Sequence, residues 1–328
     1  MVMAQSLFIT LRRRDPESRI DVVAPRWSRA ILARMPEVAD AIEVGVQHGE
    51  LGLRKRYRVG QSLRGRRYDQ AIVLPRSLKA ALLPFFARIP RRTGYRGESR
   101  YGLINDMRPL DRSLCPQTVQ RFVALGQPAG DPVPPPIPSP RLTLDEGSRE
   151  RAVSRLGLSG DGPLIGLVPG AQYGTSRRWP AERFGELAGK LVREGYRVWI
   201  FGSAADSEAA QTILSHCTGN VLDLTGRTEL EEVVDLISLP QAVVTNDTGL
   251  MHVAGAVGTR VVVVYGATTP EHTPSLADES RMIYRGIECS PCSARICPFE
   301  HNRCLTEIGT DEVFEALRAL ARPSHILE

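Results

Sequence analysis

The stretch A-V-V-T-N-D-T-G-L-M-H-V-A, residues 242–254, decides the fold. Its first three residues form the short apolar run that fills the centre of a parallel sheet. Asn246, Asp247, Thr248 and Gly249 then supply turn and N-cap chemistry, and Leu250, Met251, Val253 and Ala254 carry the chain on as a helix. A strand that passes into a helix through a small polar turn leaves the first helical N–H groups unpaired at the carboxyl edge of the sheet. Open α/β sheets bind anions there, phosphates above all. Taken alone the stretch fits two readings. One is an anion-binding turn with Asp247 and His252 in reach of a ligand; the other is a capped core helix with a buried histidine.

A second stretch repeats the arrangement. Residues 168–180, V-P-G-A-Q-Y-G-T-S-R-R-W-P, follow the apolar run 164–167 and precede a helix expected from Ala181. Arg177 and Arg178 lie in this loop. Two such loops in one sheet, one cationic and one carrying an acid and a histidine, suit a diphosphate leaving group.

Outward from these stretches the second half alternates β and α. Strands are expected at 164–167, 198–201, 221–224, 242–244 and 261–265. The helix expected at 181–194 places Phe184, Leu187, Ala188, Leu191 and Val192 on one stripe, and that at 229–239 does so with Leu230, Val233, Val234 and Ile237. Strand 198–201 ends in Gly202-Ser203, and the carboxylate of Asp206 beyond it suits either ribose hydroxyls or the cap of the next helix.

The first half reads as a helix at 2–13 closed by Arg12-Arg13-Arg14, strands at 20–24, 41–46 and 70–74, and helices at 28–34 and 52–65. The alternation implies doubly wound parallel sheets. Residues 126–140, G-Q-P-A-G-D-P-V-P-P-P-I-P-S-P, sustain neither helix nor central strand and read as a linker. The expected domains are therefore 1–135 and 136–328. Segment 76–92 mixes Leu82, Leu83, Phe85 and Phe86 with Arg76, Lys79, Arg88, Arg91 and Arg92, which fits a membrane-surface patch or a buried helix with basic ends.

Charge is divided between the halves. Residues 1–150 carry 26 Lys and Arg against 15 Asp and Glu, whereas the whole chain has a net charge of only +5. A basic half implies an anionic partner: a nucleic acid, a membrane surface or a phosphorylated substrate. Aromatic content of 6%, with no stacking stripe among the basic residues, argues against a nucleic-acid-binding protein built on this half and a cysteine knuckle. No run approaches the ~18 apolar residues of a membrane span, and no signal-peptide pattern opens the chain, so a cytoplasmic protein is expected. Four of the six cysteines, Cys289, Cys292, Cys297 and Cys304, are spaced C-x2-C-x4-C-x6-C around His301. The spacing fits a structural metal such as zinc or reduced thiols packing a loop. Cys115 and Cys217 are isolated and read as structural.

The motifs P-G-A-Q-Y-G-T-S-R-R-W-P, N-D-T-G-L-M-H-V-A, V-V-V-Y-G-A-T-T-P-E-H-T-P (262–274) and V-L-P-R-S-L-K-A-A-L-L-P-F-F-A-R-I-P-R-R-T-G-Y-R-G (73–97) together resemble the ADP-heptose:lipopolysaccharide heptosyltransferases, glycosyltransferase family 9. The likeness runs through nearly the whole chain. It implies a GT-B fold, two Rossmann-like domains facing across a cleft, and heptosyl transfer with inversion. It puts the donor ADP-heptose on the second domain and the lipid A–core oligosaccharide acceptor on the basic first one, at the cytoplasmic face of the inner membrane. The donor side would comprise Thr175, Ser176, Arg177 (where the family usually has a lysine), Ser203, Asp206, Asp247, Thr248, Gly249, Leu250 and His252. Lys79 falls on the acceptor side, with Arg92 and Arg96 there by analogy. The cysteine cluster receives no catalytic duty. The sequence has no D-x-D, and arginine with a helix dipole can replace a metal on the diphosphate, so no catalytic metal is expected. A sugar-nucleotide epimerase shares the two-domain plan and is the alternative enzyme. In the family a strand ending in a Gly-Asp pair precedes the first helix, and that aspartate is the expected general base. Residues 1–7 match the family's segment just after the pair, so the base is expected upstream of Met1, with a native start roughly a dozen residues earlier. Within 1–150 Asp106 is the nearest substitute.

Overall fold

The computed structural model describes residues 1–46, 49–158 and 160–321. It divides into two compact units, one made essentially of the chain up to Pro138 and one of the chain from Ser139.

The first unit opens with the helix Val2–Arg14, whose three terminal arginines lie at the negative end of its dipole. Arg12 also holds the carbonyls of Pro16 and Ser18, each at 2.6 Å. Strands β1 (Ile20–Val23) and β2 (Val38–Ile42) pair in parallel. β3 (Gln70–Val73), β4 (Arg91–Tyr95) and β5 (Asp106–Arg108) form a second parallel sheet. A single doubly wound sheet was expected in this half. Among the described residues β1 and β3 share no hydrogen bonds, so the unit holds two sheets. β2 also ends earlier than the expected 41–46, because Gly45 turns left-handed at φ 65° and takes the chain out of the ladder.

β4 and β5 escaped the hydrophobic pattern because they are stabilised by polar pairing. Asp106 accepts from the Thr93 hydroxyl at 2.8 Å and is ion-paired with Arg91 and Arg108, both at 3.1 Å. Segment 76–92 contains the helix Leu78–Phe86, with Ala81, Leu83 and Pro84 buried and Phe85 exposed. It packs on the helix Leu53–Leu63 through a small core of Leu63, Leu83, Ala87 and Ile89.

The second unit is one six-stranded parallel sheet. Its strands are β6 (Leu164–Val168), β7 (Arg197–Ile200), β8 (Val221–Asp223), β9 (Ala242–Asn246), β10 (Arg260–Tyr265) and β11 (Ser280–Tyr284), in the order β11-β10-β9-β6-β7-β8. Counted from the first strand of the unit, that is the doubly wound order 3-2-1-4-5-6, with its switch point between β6 and β9. Every residue of these two strands is buried, as central strands covered on both faces must be. The helix Ala181–Arg193 buries Phe184, Leu187, Ala188 and Leu191 as its periodicity requires, while Val192 is only partly covered. Several elements went unforeseen, the helices Glu146–Leu156 and Arg303–Thr306 among them. β11, S-R-M-I-Y, is an edge strand with only Ile283 buried, and the helix Thr310–Ala321 adds Val313, Phe314 and Leu317 to the same core.

Asn246 ties the switch point together. Its Oδ1 accepts from the Trp179 backbone N–H at 2.9 Å, and its Nδ2 donates to the Pro169 carbonyl at 2.7 Å. Both ends of the loop after β6 are thus fastened to the last residue of β9. With an N–H on one side and a carbonyl on the other, only one orientation of the amide satisfies both. Asn246→Leu leaves those two backbone groups buried and unpaired, a cost of about 2–4 kcal/mol. We expect a melting temperature lower by roughly 5–15 °C; a scanning calorimetry trace matching wild type would show that the staple is dispensable.

Candidate active site

The connections after β6, β7, β9 and β10 all emerge at the carboxyl edge of the second unit's sheet. In the first of these loops Arg177 reaches across the switch point to the nearly buried Asp247, with Nη1 3.4 Å from Oδ2. Its guanidinium lies over the Tyr173 ring at 4.2 Å, and that of Arg295 lies over the same ring at 5.1 Å. The Thr273 hydroxyl stands 3.4 Å from both oxygens of Asp247. Thr273 is itself anchored, since the Tyr265 hydroxyl donates to its carbonyl at 2.8 Å. Burial first, and then the charge on Asp247, push the Tyr265 phenol up and keep it a donor.

The helix Gly249–Ala256 begins here. Thr248 caps it by accepting from the Leu250 N–H at 3.2 Å. The N–H groups of Gly249 and Met251 then have no acceptor within the helix. Gly249 is exposed, whereas Met251 is fully buried. His252 is 9% exposed, and burial depresses its imidazole to about 4. Three buried polar atoms around this edge, Arg177 Nε, His252 Nδ1 and Thr268 Oγ1, have no hydrogen-bond partner among the described residues.

The expected donor residues separate by what they touch. Arg177, Asp247, Thr248, Gly249, Leu250 and His252 gather at the switch point, and Thr175 is exposed in the same loop. Ser176 is a strut instead: it is buried, its hydroxyl donates to the Ala294 carbonyl, and its N–H donates to Arg295 O at 3.3 Å. Gly174 makes that approach feasible, because a β-carbon there would collide with the Arg295 carbonyl. Ser203 and Asp206 are used on one another. Asp206 accepts the Ser203 N–H at 2.9 Å and its hydroxyl at 2.8 Å, forming the cap of the following helix rather than an open ribose site. Tyr173, Thr268, Thr273 and Arg295 were not singled out from the sequence. The first three lie inside the quoted motifs, where a hydroxyl following a strand was the available signal. Arg295 comes from the cysteine loop and had none.

In the first unit Arg92 is a loop clip. It donates to the carbonyls of Leu103 (2.7 Å), Ile89 (2.6 Å) and Gly102 (3.3 Å), so each of its three nitrogens holds backbone, a structural use that the expectation from analogy did not include. Asp106 is likewise committed. Burial pushes its carboxyl up, but hydrogen bonds from Arg108 and Thr93 outweigh that and hold it below the ordinary range, which is unsuitable for a general base. Arg96 is exposed and lines an open hollow of about 590 Å³ with Arg76, Gly97, Pro109, Leu110 and Arg112, at the carboxyl ends of β3, β4 and β5. Among the described residues none of these three arginines has an ion pair, and Lys79, half-buried in the first turn of the neighbouring helix, has none either.

The four clustered cysteines lie near one another: Cys289, Cys292 and Cys297 all act on the Cys304 thiol, and Cys289 Sγ stands 3.9 Å from His301 Nε2. Cys304 is buried on the short helix Arg303–Thr306 while Cys292 is exposed, and all six cysteines are free thiols. Among the described residues no three His, Cys, Asp or Glu side chains are gathered to hold a metal. Burial, and then the neighbouring cysteines, raise the Cys304 thiol to about 11.

A 3-2-1-4-5-6 sheet with an arginine and a capped helix N-terminus at its switch point is the Rossmann-like arrangement of an α/β class whose open sheets take ligands at that edge. Comparison with known proteins narrows the class. Glycosyltransferase family 9 (heptosyltransferase) matches residues 56–302. Lipopolysaccharide heptosyltransferase 2 of Escherichia coli K12 is 46% identical over 329 residues, 98% of this chain and 94% of its own. Its Salmonella typhimurium counterpart is 47% identical over 292 residues, covering 86% and 84%. The structure of E. coli ADP-heptose lps heptosyltransferase II superposes with a TM-score of 0.86 at 41% identity, over 98% of this chain and 95% of that one. The chain belongs to glycosyltransferase family 9, the heptosyltransferases. Its likeness is to the heptosyltransferase II branch, and its fold is GT-B.

The depressed imidazole of His252 sets a pH dependence. In the unfolded chain it takes up a proton near pH 6.5, but in the folded chain only near 4. The unfolded state therefore binds more protons between those values, and stability falls as pH drops from 6.5 towards 4, by up to about 3 kcal/mol. We expect His252→Gln to abolish the loss between pH 6.5 and 5, measured by denaturant titration at each pH. An unchanged profile would mean that the imidazole titrates alike in the folded and unfolded chain.

Proposed function

We propose that this protein transfers a heptosyl group from ADP-heptose to the heptose-bearing inner core of lipopolysaccharide, with inversion at the anomeric carbon. The observation that carries the reading is the likeness to E. coli lipopolysaccharide heptosyltransferase 2 over 98% of the chain. The geometry of the second unit supports it. As the bond from the anomeric carbon to the diphosphate breaks, negative charge collects on the departing ADP. Preorganised positive groups aimed at that charge lower the barrier. Arg177 and the N-terminus of the helix Gly249–Ala256 supply them, and a guanidinium in place of the family's usual lysine can hold two phosphate oxygens at once. Asp247, steadied by Thr273, keeps the guanidinium on station through a pair long enough at 3.4 Å to yield to a phosphate. Neutral His252 adds no competing charge.

On the acceptor side we assign the unpaired arginines of the first unit's hollow, Arg76, Arg96 and Arg112, to the anionic groups of the lipid A–core oligosaccharide, with Lys79 beside them. The basic half thereby serves a glycolipid rather than a nucleic acid. We place the protein at the cytoplasmic face of the inner membrane, where its acceptor is anchored. Among the described residues no helix is long and apolar enough to cross a membrane.

Arg177→Ala is expected to weaken ADP binding by about 1–3 kcal/mol in isothermal calorimetry, with Arg177→Lys restoring most of it. Unchanged affinity in the alanine variant would remove Arg177 from the donor site. The double variant Arg96→Ala/Arg112→Ala is expected to raise the acceptor KM at least tenfold while ADP affinity stays at the wild-type value. A parallel loss of ADP affinity, or an unmoved acceptor KM, would mean that the hollow is not the acceptor's.

A further inference from the structure

We infer that the outer face of the helix pair Leu53–Leu63 and Leu78–Phe86 is a docking surface for an anionic lipid bilayer. Four large apolar side chains stand open around it: Leu51 at 51% exposure, Leu53 at 49%, Tyr57 at 46% and Phe85 at 43%. Leu53 and Tyr57 are four residues apart and so share one line along the first helix; Arg54 and Arg58 share the adjoining line. On its other flank the Leu53–Tyr57 line adjoins the buried edge made by Gly60 and Leu63, so the exposed side chains border the contact between the two helices. Tyr57 meets the Phe86 ring edge-on at 5.3 Å, and Phe86 meets Phe85 at 5.9 Å, which makes the exposed aromatics one continuous patch across both helices. The pair is held rigidly. A β-carbon on Gly60 would lie 2.6 Å from that of Phe86, and Arg64 Nε donates to the Phe86 carbonyl at 2.9 Å.

The charge around the patch points to the occupant. Residues 44–68 contain seven Lys and Arg and a single acid, Glu50, which is paired with Lys55 at 3.1 Å. Arg66 is used on Asp21 and Asp40, and Arg56 on the Leu51 carbonyl. Arg54, Arg58 and Arg88 are exposed and have no ion pair among the described residues. Apolar side chains that can sink a few ångströms, flanked by basic residues that stay at the headgroups, match the interface of a membrane rich in anionic lipid. The surface is a positioning device. It would present the first unit to a membrane-borne acceptor, and it draws on the proposed function only for that purpose.

Flotation of the full chain with acceptor-free vesicles tests it apart from activity. Wild type is expected to float with vesicles of phosphatidylcholine and phosphatidylglycerol, to stay behind with pure phosphatidylcholine, and to lose binding as salt rises. Arg54→Ala/Arg58→Ala is expected to weaken partitioning about 30-fold, and Tyr57→Ser/Phe85→Ser about tenfold or more, with ADP affinity and melting temperature at wild-type values. Equal binding to neutral vesicles, or wild-type partitioning by both variants, would overturn the inference. So would a wild-type protein that ignores vesicles and instead shifts RNA in a salt-sensitive way. A catalytically inactive chain that still floats with anionic vesicles would overturn the transferase reading and leave this one standing.

Discussion

The second unit depends on a single amide. A loop of a dozen residues after a central strand has many ways to lie, and most would carry Arg177 away from the neighbouring turn. Asn246, the last residue of β9, removes that freedom by binding the loop at both of its ends, Pro169 and Trp179. The loop is then a short arch whose feet stand on the adjacent central strand. Trp179 extends the restraint, since its indole Nε1 donates to Ile308 O at 3.0 Å and its ring packs edge-on against Phe184 at 4.9 Å. A buried carboxamide with both groups paired costs little to keep and much to disturb. The positive groups of the site are preorganised because a buried polar contact fixes them, so they need not be ordered at the moment of reaction.

The two units solve opposite electrostatic problems. In the first, arginine excess is partly absorbed as structure: Arg92 and Arg100 each hold backbone carbonyls, and Arg66, Arg91 and Arg108 neutralise acids carried on the strands. What remains unpaired is left at the strand ends and on the outer helices. Net charge alone therefore overstates the number of cations free to meet a ligand. The second unit has little charge to spare, and its one site cation facing Asp247 is paired loosely enough to be shared.

Legibility tracked burial. The central strands and the Phe184–Leu191 stripe were plain in the sequence because a buried face leaves a period that no polar residue interrupts. The turn at Asp247–Gly249 was plain because capping restricts residue type. β4, β5 and β11 were not, since an edge or ion-paired strand satisfies its backbone without an apolar pattern. The site residues divided in the same way. A motif says which residues lie in a loop, but not which of them face inward as struts. Ser176, Asp206 and Arg92 look like ligand-binding residues by type, and the structure uses each to hold a neighbouring segment. Asn246 reads as a turn residue in the sequence, and its role becomes visible only with Pro169 and Trp179 on either side of it.

The contact between Ser176 and the 294–295 backbone reaches beyond the loop in which it sits. Through it, the arch bearing Arg177 and the irregular segment bearing the cysteines move as one mechanical piece, with Gly174 admitting no slack between them. A change at Cys289 or Cys297 would thereby bear on the loop that carries Arg177. Loss of activity after thiol modification would report leverage rather than a reactive cysteine. The same linkage gives the segment a reason to keep its shape although it belongs to neither the sheet nor the helices.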